Sequence, residues 1–485
     1  MDGRIAEAAR RAIVGLVGLA WLACGQAAPQ GHPIEDREDS RAATLVGGAA
    51  ARPEREPLRV GTSGDYAPFS LWTEGQPGPH GFSADVARAF ARDQGRGVEW
   101  VRFRWPELDA DLAAGHFEIA LSGITIRPDR SLAGRFALPL TVTGAVALVR
   151  ADSALRDRAD LDRAGIRLAV NRGGHLERVA RALFPGASIE PIGDNARIAE
   201  RLFDGRAEAV LTDDLEARHW QAGLPPSRAI GPLTRDLKAA WLPLGREGQA
   251  RDFDRWLLRF EATGRLAQLR ERHGLAAART AEPRSALLAS LDERLSMMPA
   301  VVHAKRVLGL PIEDRSQEAR VHEAVRQACL RGAREFETEP PPQAVLKRFV
   351  DAQLRAARFL QERELADTAS MPAPAVVPTT ATERDAARRE LDQRIRPALA
   401  FVTERVAWLL VAASNSARTA PSPSAPVAPT LETVSQALAR HALPSELEAE
   451  IQTSLEALFT PPPHARRASP TPPARSAPRG ITPSG

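Results

Sequence analysis

The chain has 485 residues, of which 44% are hydrophobic and 26% charged, so it is globular in composition and too long for one ordinary domain. Its 65 Lys and Arg residues nearly balance 61 Asp and Glu residues, and the net charge of +4 gives no argument for a nucleic-acid partner. Two cysteines, Cys24 and Cys329, exclude a disulfide framework, and the sequence has no cluster of metal ligands.

Residues 1–27 have the pattern of an export signal. An apolar run, RRAIVGLVGLAWLAC, carries positive charge at its start and has signal-peptide length. Leu22-Ala23-Cys24 is similar to a lipoprotein processing site, so lipidation at Cys24 and cleavage after Ala27 both stay open. We therefore predict a periplasmic protein, either soluble or anchored by a lipid at Cys24. We expect no transmembrane helix, because no apolar stretch has membrane-spanning length.

Residues 28–56 are rich in Ala, Gly, Pro and charge and are predicted to be a flexible linker. From 57 to 275 short strands alternate with helices, which predicts an α/β domain with a largely parallel sheet. The predicted strands lie at 58–62, 98–103, 119–122, 146–149, 167–171, 188–191, 209–211 and 241–243. The predicted helices include 105–114, 175–183, 195–204 and one long helix over 252–273.

After a predicted linker at 276–284 the pattern becomes purely helical. Apolar residues recur at helical spacing over 288–302, and further helices are predicted at 317–332, 343–364, 382–415 and 431–458. We predict an all-α domain over 285–460 in which Cys329 packs against a neighbouring helix. The proline-rich segment 461–485 is predicted to be a disordered tail.

The stretch LTDDLEARHW at 211–220 contains the residue that we expect to carry chemistry. An apolar strand ends in Thr212-Asp213-Asp214, which offers two candidates for a helix N-cap. Glu216 then falls in the first turn of a helix at the carboxyl end of a strand, where open α/β sheets bind ligands. On this stretch alone, a Glu that complements the helix dipole is the simpler interpretation.

Six separated stretches of the α/β segment resemble cyclohexadienyl dehydratase, an enzyme built on the periplasmic solute-binding fold. They are LRVGTSGDYAPFS (58–70), RWPEL (104–108), LSGITIRPDR (121–130), NRGGHLER (171–178), TDDLEAR (212–218) and LKAAWLPL (237–244), in the order of the family. The resemblance implies a two-lobed, type II binding-protein fold with crossings near Val149-Arg150 and Leu242-Pro243-Leu244. It also implies that Glu216 is the catalytic acid.

The implied reaction removes CO₂ and water from prephenate, or from its aminated analogue arogenate. Aromatisation drives the reaction, so the obstacle is hydroxide as a leaving group, and a protonated Glu216 would lower that barrier. Its pKa must then be raised by burial or by the bound dianion.

The resemblance also supplies substrate-binding residues. Arg130, with Thr125 in the matching pattern, suits a carboxylate because guanidinium binds carboxylates in a bidentate manner. A surface ion pair between Arg130 and Asp129 is its alternative. The other expected contacts are Tyr66 and Trp105 as walls for a planar ring, Lys238 as a positive charge, and Gly173, Gly174 and His175 as backbone N–H donors at a helix start. Each has an alternative that stays open: core packing for Trp105, an exposed strand-edge position for Lys238, and a plain helix start for Gly173-Gly174-His175.

The alternative for this domain is an amino-acid-binding protein of a transporter, which shares the fold and Arg130. A binding protein without catalytic activity does not require a Glu at position 216. The triplet Glu216-Ala217-Arg218 therefore favours the enzyme.

Three stretches of the helical segment resemble the secreted, all-helical class of chorismate mutase. They are LDERLSMM (291–298), VVHAKRVLGLPIEDRSQEARV (301–321) and RFVDAQLRAARFLQ (348–361). Arg294 and Lys305 are eleven residues apart, or three helical turns, so they are expected to share a helix face. The resemblance implies that Arg294 binds a carboxylate, that Lys305 and Gln361 face the ether oxygen of chorismate, and that Glu318 contacts the ring hydroxyl.

Two positions depart from the mutase pattern. Gln317 stands where the family has Arg, and Ala357 stands where a polar residue is expected. Arg315 or Arg320 is a candidate replacement for the missing cation.

Together these patterns predict an exported bifunctional enzyme that converts chorismate to prephenate and then prephenate to phenylpyruvate, or arogenate to phenylalanine. Neither step needs a cofactor or a metal, and the expected partners are these small molecules, with a homo-oligomer left open. The alternative is a solute-binding module fused to an inert helical dimerisation domain.

Overall fold

A computed structural model describes residues 55–275, 279–370, 380–419 and 431–459. The predicted export signal with Cys24, most of the linker 28–56 and the predicted tail lie outside the described residues. The chain divides into two compact units, Met1–Glu282 and Pro283–Gly485. Of the predicted linker 276–284, Thr280 packs against the first unit, where its Oγ1 donates to the Pro139 carbonyl at 2.8 Å.

The first unit is built on two mixed five-stranded sheets. Its strands are β1 (Arg55–Thr62), β2 (Asp65–Tyr66), β3 (Ser70–Leu71), β4 (Arg96–Arg102), β5 (Ile119–Ala120), β6 (Gly134–Thr143), β7 (Ala145–Arg150), β8 (Arg167–Asn171), β9 (Ser188–Ile192), β10 (Ala209–Asp213), β11 (Ser227–Ile230) and β12 (Asp236–Pro243). One sheet has the order β4-β1-β5-β12-β6 and the other the order β11-β7-β10-β8-β9, while β2 and β3 pair with each other. Each large sheet is the centre of one lobe.

Helices cover these sheets. They are α1 (Phe82–Asp93), α2 (Leu108–Ala113), α3 (Pro128–Ala133), α4 (Arg158–Leu161), α5 (His175–Leu183), α6 (Ile198–Phe203), α7 (Asp214–Gln221), α8 (Glu247–Ala262) and α9 (Arg265–Arg272). In the second lobe, buried aliphatic residues on both faces of the sheet pack against α5 on one side and α6 on the other. The long helix predicted over 252–273 is two helices, because the backbone turns at Gly264 with a φ of 76°.

The expectation of a largely parallel sheet is wrong. β12 runs antiparallel to β5 and β6, and β7 runs antiparallel to β10 and β11. The reason is the two-lobed architecture. β6 and β12 carry the chain out of the first lobe and back into it, so they run in opposite directions, and β7 and β11 do the same in the second lobe.

The predicted positions of the crossings are also wrong. The chain passes from β6 to β7 through Gly144 alone and returns through 231–235, whereas Val149 lies inside β7 and Leu242 inside β12. A Cβ atom at Gly144 would lie 2.6 Å from the Pro232 Cβ and 2.7 Å from the Thr234 carbonyl oxygen. The absence of a side chain at Gly144 therefore lets the two crossing segments run side by side.

The second unit is all-α among its described residues, as predicted. Its helices are α10 (Pro283–Ser296), α11 (Met298–Leu308), α12 (Arg315–Glu335), α13 (Gln343–Ser370), α14 (Ala381–Glu390), α15 (Arg396–Thr419), α16 (Leu431–Leu438) and α17 (Ser445–Phe459). A π-helical turn, Leu391–Ile395, joins α14 to α15, and α15 packs against α10 and α12.

Two expectations for this unit have clear outcomes. Contrary to the sequence expectation, the helix Ala381–Ser416 is long and apolar enough to cross a membrane, but 72% of its most apolar window is buried, as in the core helix of a globular unit. Cys329 is buried, and its Sγ donates to the Ala407 carbonyl at 3.6 Å. Burial raises the pKa of this thiol to about 12, so Cys329 is a protonated packing residue.

Candidate active site

A pocket lies in the cleft of the first unit and takes its lining from both lobes. It brings together eight of the nine first-domain residues expected from the sequence: Tyr66, Trp105, Thr125, Arg130, Gly174, His175, Glu216 and Lys238. Sequence reasoning missed four further lining residues: Gly123, Asn171, Leu176 and Asn195. Gly173 does not line the pocket, and its N–H, expected to bind substrate, donates to Glu177 Oε2 at 2.7 Å.

The strand-to-helix turn at Asp213 places Glu216 in this pocket. Asp213 is the N-cap of α7, and its Oδ1 accepts from the N–H groups of Leu215 at 3.0 Å and Glu216 at 2.9 Å. With these donors satisfied, the first turn of α7 projects the Glu216 side chain from the carboxyl end of β10 into the cleft.

The Glu216 carboxyl is buried and held at both oxygens. Thr212 Oγ1 donates to its Oε2 at 2.5 Å and Asn195 Nδ2 donates to its Oε1 at 3.0 Å. Burial raises the pKa of Glu216 well above its usual value, and the nearby Asp213 raises it further, while these two hydrogen bonds oppose the shift. This pocket-facing carboxyl group therefore holds its proton to a higher pH than an ordinary glutamic acid does.

A second buried network lies beside Glu216. The Tyr66 hydroxyl donates to Asp213 Oδ2, and Lys238 Nζ lies 3.9 Å from the same oxygen. Lys238 also donates to Thr125 Oγ1 at 2.9 Å and to the Tyr66 hydroxyl at 3.2 Å. Burial raises the pKa of Asp213 too, but Lys238 and the two backbone N–H groups act in the opposite direction, so Asp213 is better suited than Glu216 to carry the negative charge.

Arg130 is a buried cation in the pocket lining, and not a surface ion pair with Asp129. Its Nε donates to Asp109 Oδ1 at 3.2 Å, and its guanidinium lies 5.4 Å from the Trp241 ring centroid. Burial, helped by the adjacent Arg127, lowers the pKa of Arg130 to about 10, which still leaves it charged at neutral pH.

His175 faces the pocket with its side chain. Its Nε2 lies 2.9 Å from Asp236 Oδ1, and the Asp236 carboxylate also accepts from Thr234 Oγ1 at 2.8 Å. Burial lowers the pKa of His175, although Asp236 opposes the shift. Trp105 also lines the pocket. Its ring centroid lies 5.7 Å from that of Tyr66 in an edge-to-face arrangement, and its Nε1 donates to Asp65 Oδ1 at 3.2 Å.

The lobes are closed around this pocket. The enclosed volume is about 40 Å³, enough for a few water molecules at most. Arg178 of the second lobe pairs with Asp129 of the first at 3.1 Å, and Asn195 Nδ2 donates to the Asp65 carbonyl at 3.2 Å. A ring-sized ligand therefore enters only after the lobes separate.

The helical unit has a cavity of its own, of about 410 Å³. Its lining includes all four residues that the sequence singled out there: Arg294, Lys305, Glu318 and Gln361. α10 and α11 are separate helices, so the single helix face expected for Arg294 and Lys305 does not exist, yet both residues reach the same cavity.

Arg294 is buried in the cavity wall. Its Nε donates to Thr403 Oγ1 at 3.2 Å, while its Nη1 has no hydrogen-bond partner among the described residues. Burial lowers the pKa of Arg294 to about 10. Gln361 Nε2 donates to the Ala357 carbonyl at 3.2 Å, and its Oε1 is likewise without a partner in the described part of the chain.

Lys305 and Glu318 line the same cavity. Lys305 Nζ donates to the Ile312 carbonyl at 2.6 Å, and burial lowers its pKa against the raising effect of Asp314 and Glu318. Glu318 Oε1 accepts from Arg358 Nη2 at 2.7 Å. Arg358, Arg388 and Arg396 also line the cavity. Arg358 lies inside the third matching stretch but was not singled out, whereas Arg388 and Arg396 come from segments outside the matching stretches.

The departure at Gln317 has a structural counterpart. Gln317 Oε1 accepts from Arg320 at both Nε (3.2 Å) and Nη2 (2.8 Å), and both residues line the cavity. Arg315, the other candidate replacement, is exposed and pairs with Glu313 at 3.5 Å.

Residues 58–276 match the family of bacterial extracellular solute-binding proteins, family 3. The chain belongs to this family. Cyclohexadienyl dehydratase of Pseudomonas aeruginosa is 35% identical over 219 residues, which cover 44% of this chain and 81% of that protein. The L-cystine-binding protein TcyJ of Escherichia coli is 26% identical over 215 residues, 44% of this chain and 75% of that one.

Among solved structures, the ancestral amino acid-binding protein AncCDT-1, a precursor of cyclohexadienyl dehydratase, is 30% identical with a TM-score of 0.42, covering 45% of this chain and 95% of that one. The family match confirms the two-lobed binding-protein fold predicted for the first unit. The match ends at residue 276, before the helical unit begins. Its members are described as extracellular, which agrees with the predicted export.

Proposed function

We propose that the first unit is a cyclohexadienyl dehydratase that uses Glu216 as its acid. The observation that carries this proposal is a buried carboxyl group with a raised pKa, facing the same pocket as two cations, Arg130 and Lys238. The identity of 35% to the Pseudomonas aeruginosa dehydratase supports it.

In this mechanism Arg130 binds one substrate carboxylate and fixes the ring against Tyr66 and Trp105. The bond between the ring and the other carboxylate breaks to release CO₂, and its electron pair enters the ring. The C4–O bond breaks as Glu216 gives its proton to the leaving hydroxyl, so that water departs and the ring is aromatic. Solvent reprotonates Glu216 when the lobes open. Positioned general acids contribute about 10² to 10⁴ in rate.

A direct assay tests this proposal. The purified chain is given prephenate, and phenylpyruvate is monitored at neutral pH. Formation of phenylpyruvate above the spontaneous rate supports the dehydratase. Tight binding of an amino acid with no turnover of prephenate supports the second candidate, a transporter-type binding protein. The similarity to the L-cystine-binding protein TcyJ favours this candidate.

We further propose that the helical unit rearranges chorismate to prephenate. Its cavity of about 410 Å³ is the size of a small-molecule site and is lined by several cations with few carboxylates. The rearrangement is intramolecular, so the protein only has to hold the reactive conformer and stabilise charge on the ether oxygen. Arg294 Nη1 and Gln361 Oε1 are free for such contacts, and Lys305 would supply the charge.

The two activities fit one another, because the product of the mutase is the substrate of the dehydratase. Chorismate given to the full chain should therefore yield phenylpyruvate, with prephenate as the intermediate. An inert helical unit would leave chorismate unchanged while added prephenate is still consumed. We also propose that the chain is exported, either soluble or anchored by a lipid at Cys24, and that its two domains span 57–275 and 285–460.

A further inference from the structure

Asn195 connects the two lobes at the carboxyl group of Glu216. It lies in the second lobe, in the short 3₁₀ helix Asn195–Arg197 before α6, and its side chain is buried. Its Nδ2 donates to Glu216 Oε1 at 3.0 Å and to the Asp65 carbonyl of the first lobe at 3.2 Å. One amide nitrogen therefore gives one hydrogen to the proposed acid and the other to the opposite lobe.

The oxygen of the same side chain is also held. Asn195 Oδ1 accepts from Asn171 Nδ2 at 3.2 Å. Because the amide group is planar, contacts at both its oxygen and its nitrogen leave it a single orientation. The Asp65 carbonyl belongs to the opposite lobe, so it can hold the Asn195 amide only while the lobes are closed.

The second hydrogen bond to Glu216 does not depend on closure. Thr212 Oγ1 donates to Glu216 Oε2 at 2.5 Å from the end of β10, four residues earlier in the same lobe. One carboxyl oxygen is thus held by a neighbour in the chain, and the other by a residue that also contacts the opposite lobe. This matters for a general acid, because a small misplacement of a catalytic group costs up to about 10² in rate.

Closure also changes the charges around Glu216. Burial raises the pKa of Glu216 most, and the carboxylates of Asp213 and Asp65 raise it further, while the hydrogen bonds from Thr212 and Asn195 lower it. Asp65 comes from the first lobe. When the lobes close, its carboxylate helps to keep the proton on Glu216, and its carbonyl orients the amide that holds the same group.

We propose that Asn195 is a positioning residue that couples closure of the lobes to the alignment of the Glu216 carboxyl group. The inference rests on the proposed dehydratase and adds a residue to the same site. In the closed state Asn195 holds Glu216 for proton transfer to the leaving hydroxyl. When the lobes separate, the contact with Asp65 is lost and the carboxylate becomes accessible to solvent, which returns its proton.

The test compares Asn195→Leu with the wild type, because leucine keeps the branched shape of asparagine and removes its hydrogen bonds. We expect kcat for prephenate to fall by about tenfold or more, with KM changed by less than about threefold. The pH at which kcat falls on the alkaline side should move upward, because Glu216 loses a hydrogen bond that stabilises its ionised form. A purely structural role of Asn195 would not move this alkaline limb.

Two further variants are controls. Arg178→Ala breaks another contact between the lobes, the ion pair with Asp129 at 3.1 Å, without touching Glu216. It should raise KM and leave the alkaline limb of kcat where it is. Arg197→Ala removes an exposed side chain from the same 3₁₀ helix as Asn195 and should change neither quantity.

The outcomes separate this inference from the proposed function. If Asn195→Leu changes only KM, as Arg178→Ala does, or lowers kcat without moving the alkaline limb, the inference is overturned and the dehydratase stands. No turnover of prephenate by the wild type would overturn the dehydratase and the inference with it. Should Asn195→Leu fail to fold, Asn195→Asp decides, because it keeps the shape and removes the amide donor. An unchanged kcat in Asn195→Asp would overturn the inference.

Discussion

At the scale of the residue, Glu216 is a buried carboxyl group that faces the cleft pocket, and among the described residues it is the single carboxyl group in the lining. Glu216→Gln should lower kcat for prephenate by about 10² to 10⁴, because only the transferable proton is lost. The Gln side chain keeps an oxygen for Asn195, so the fold should survive. Circular dichroism and steady-state kinetics check this, with Glu200→Gln as a control at an exposed ion pair. Most of the activity remaining at neutral pH would remove Glu216 as the acid.

The raised pKa of Glu216 also predicts how stability depends on pH. In the unfolded chain this carboxyl titrates near 4.5, and in the folded chain well above it, so between these values the folded state binds the extra proton. The contribution of Glu216 to stability is thus present below pH 4.5 and is lost as pH rises through the raised pKa. The Glu216→Gln variant, which cannot ionise, should gain in Tm relative to wild type between about pH 5 and pH 8. A constant difference in Tm over this interval would contradict the raised pKa.

Arg130 makes a different kind of prediction, because its contact with substrate exists before the reaction starts. Arg130→Lys keeps the charge but loses the planar fork that binds a carboxylate at two points. We expect KM for prephenate to rise by about tenfold or more with a smaller change in kcat. Since Arg130 is buried against Trp241, Tm is measured in parallel to separate unfolding from lost binding. Unchanged KM and kcat would show that Arg130 does not touch the substrate.

The sequence located the residues of this site but not their environment. Glu216, Arg130 and Lys238 lie in motifs that are continuous in the chain, so a pattern finds them. Asn195 contacts Glu216 from a separate element 21 residues away, and Tyr66 reaches Asp213 across 147 residues and two lobes. Contacts of this kind depend on how the two lobes close, and a local sequence pattern contains no information about that closure.

At the scale of the element, helices and strands were predicted well where a period repeats, and poorly where single residues break it. The run from 134 to 149 is mostly apolar, and only the close approach of Pro232 shows that Gly144 divides it between two lobes. Gly264 likewise divides a helix whose apolar period continues on both sides. A period predicts which face is buried, but it does not predict where the backbone turns.

Helix α12 carries the element-scale prediction. Gln317 accepts two hydrogen bonds from the Arg320 guanidinium, and both residues line the cavity, so the cation that the mutase pattern expects at 317 is displaced by about one helical turn. Arg320→Gln should lower kcat/KM for chorismate about tenfold, and Gln317→Arg alone should gain little because it places two cations side by side. The double variant Gln317→Arg/Arg320→Gln moves the cation back and should recover the activity.

This exchange has a clear contrary result. If Arg320 is only a surface residue, Arg320→Gln leaves kcat/KM for chorismate unchanged. Gln317→Arg then changes kcat/KM by the same factor in the wild-type protein and in the Arg320→Gln variant. Arg315→Gln is the matched control on the same helix, because Arg315 is exposed and does not line the cavity.

At the scale of the whole molecule, the division at Glu282–Pro283 separates two units that each have a buried core. The helical unit contains its own internal ion pairs, including the buried contact between Arg405 and Glu293. Its cavity is lined entirely by residues of the same unit, so the proposed mutase chemistry needs nothing from the first unit.

The fragment from Arg284 to Phe459 should therefore fold alone as a helical protein and rearrange chorismate. Lys305→Ala should abolish this turnover, since Lys305 supplies the charge opposite the developing ether oxyanion, while leaving the helical content intact because its side chain is only partly buried. Lys347→Ala, at an exposed ion pair with Asp351, is the matched control and should keep full activity. Far-UV circular dichroism establishes folding, and the loss of chorismate absorbance measures turnover. A well-folded fragment without activity, unchanged by the exchange of Gln317 and Arg320, would reduce the helical unit to a binding or dimerisation module.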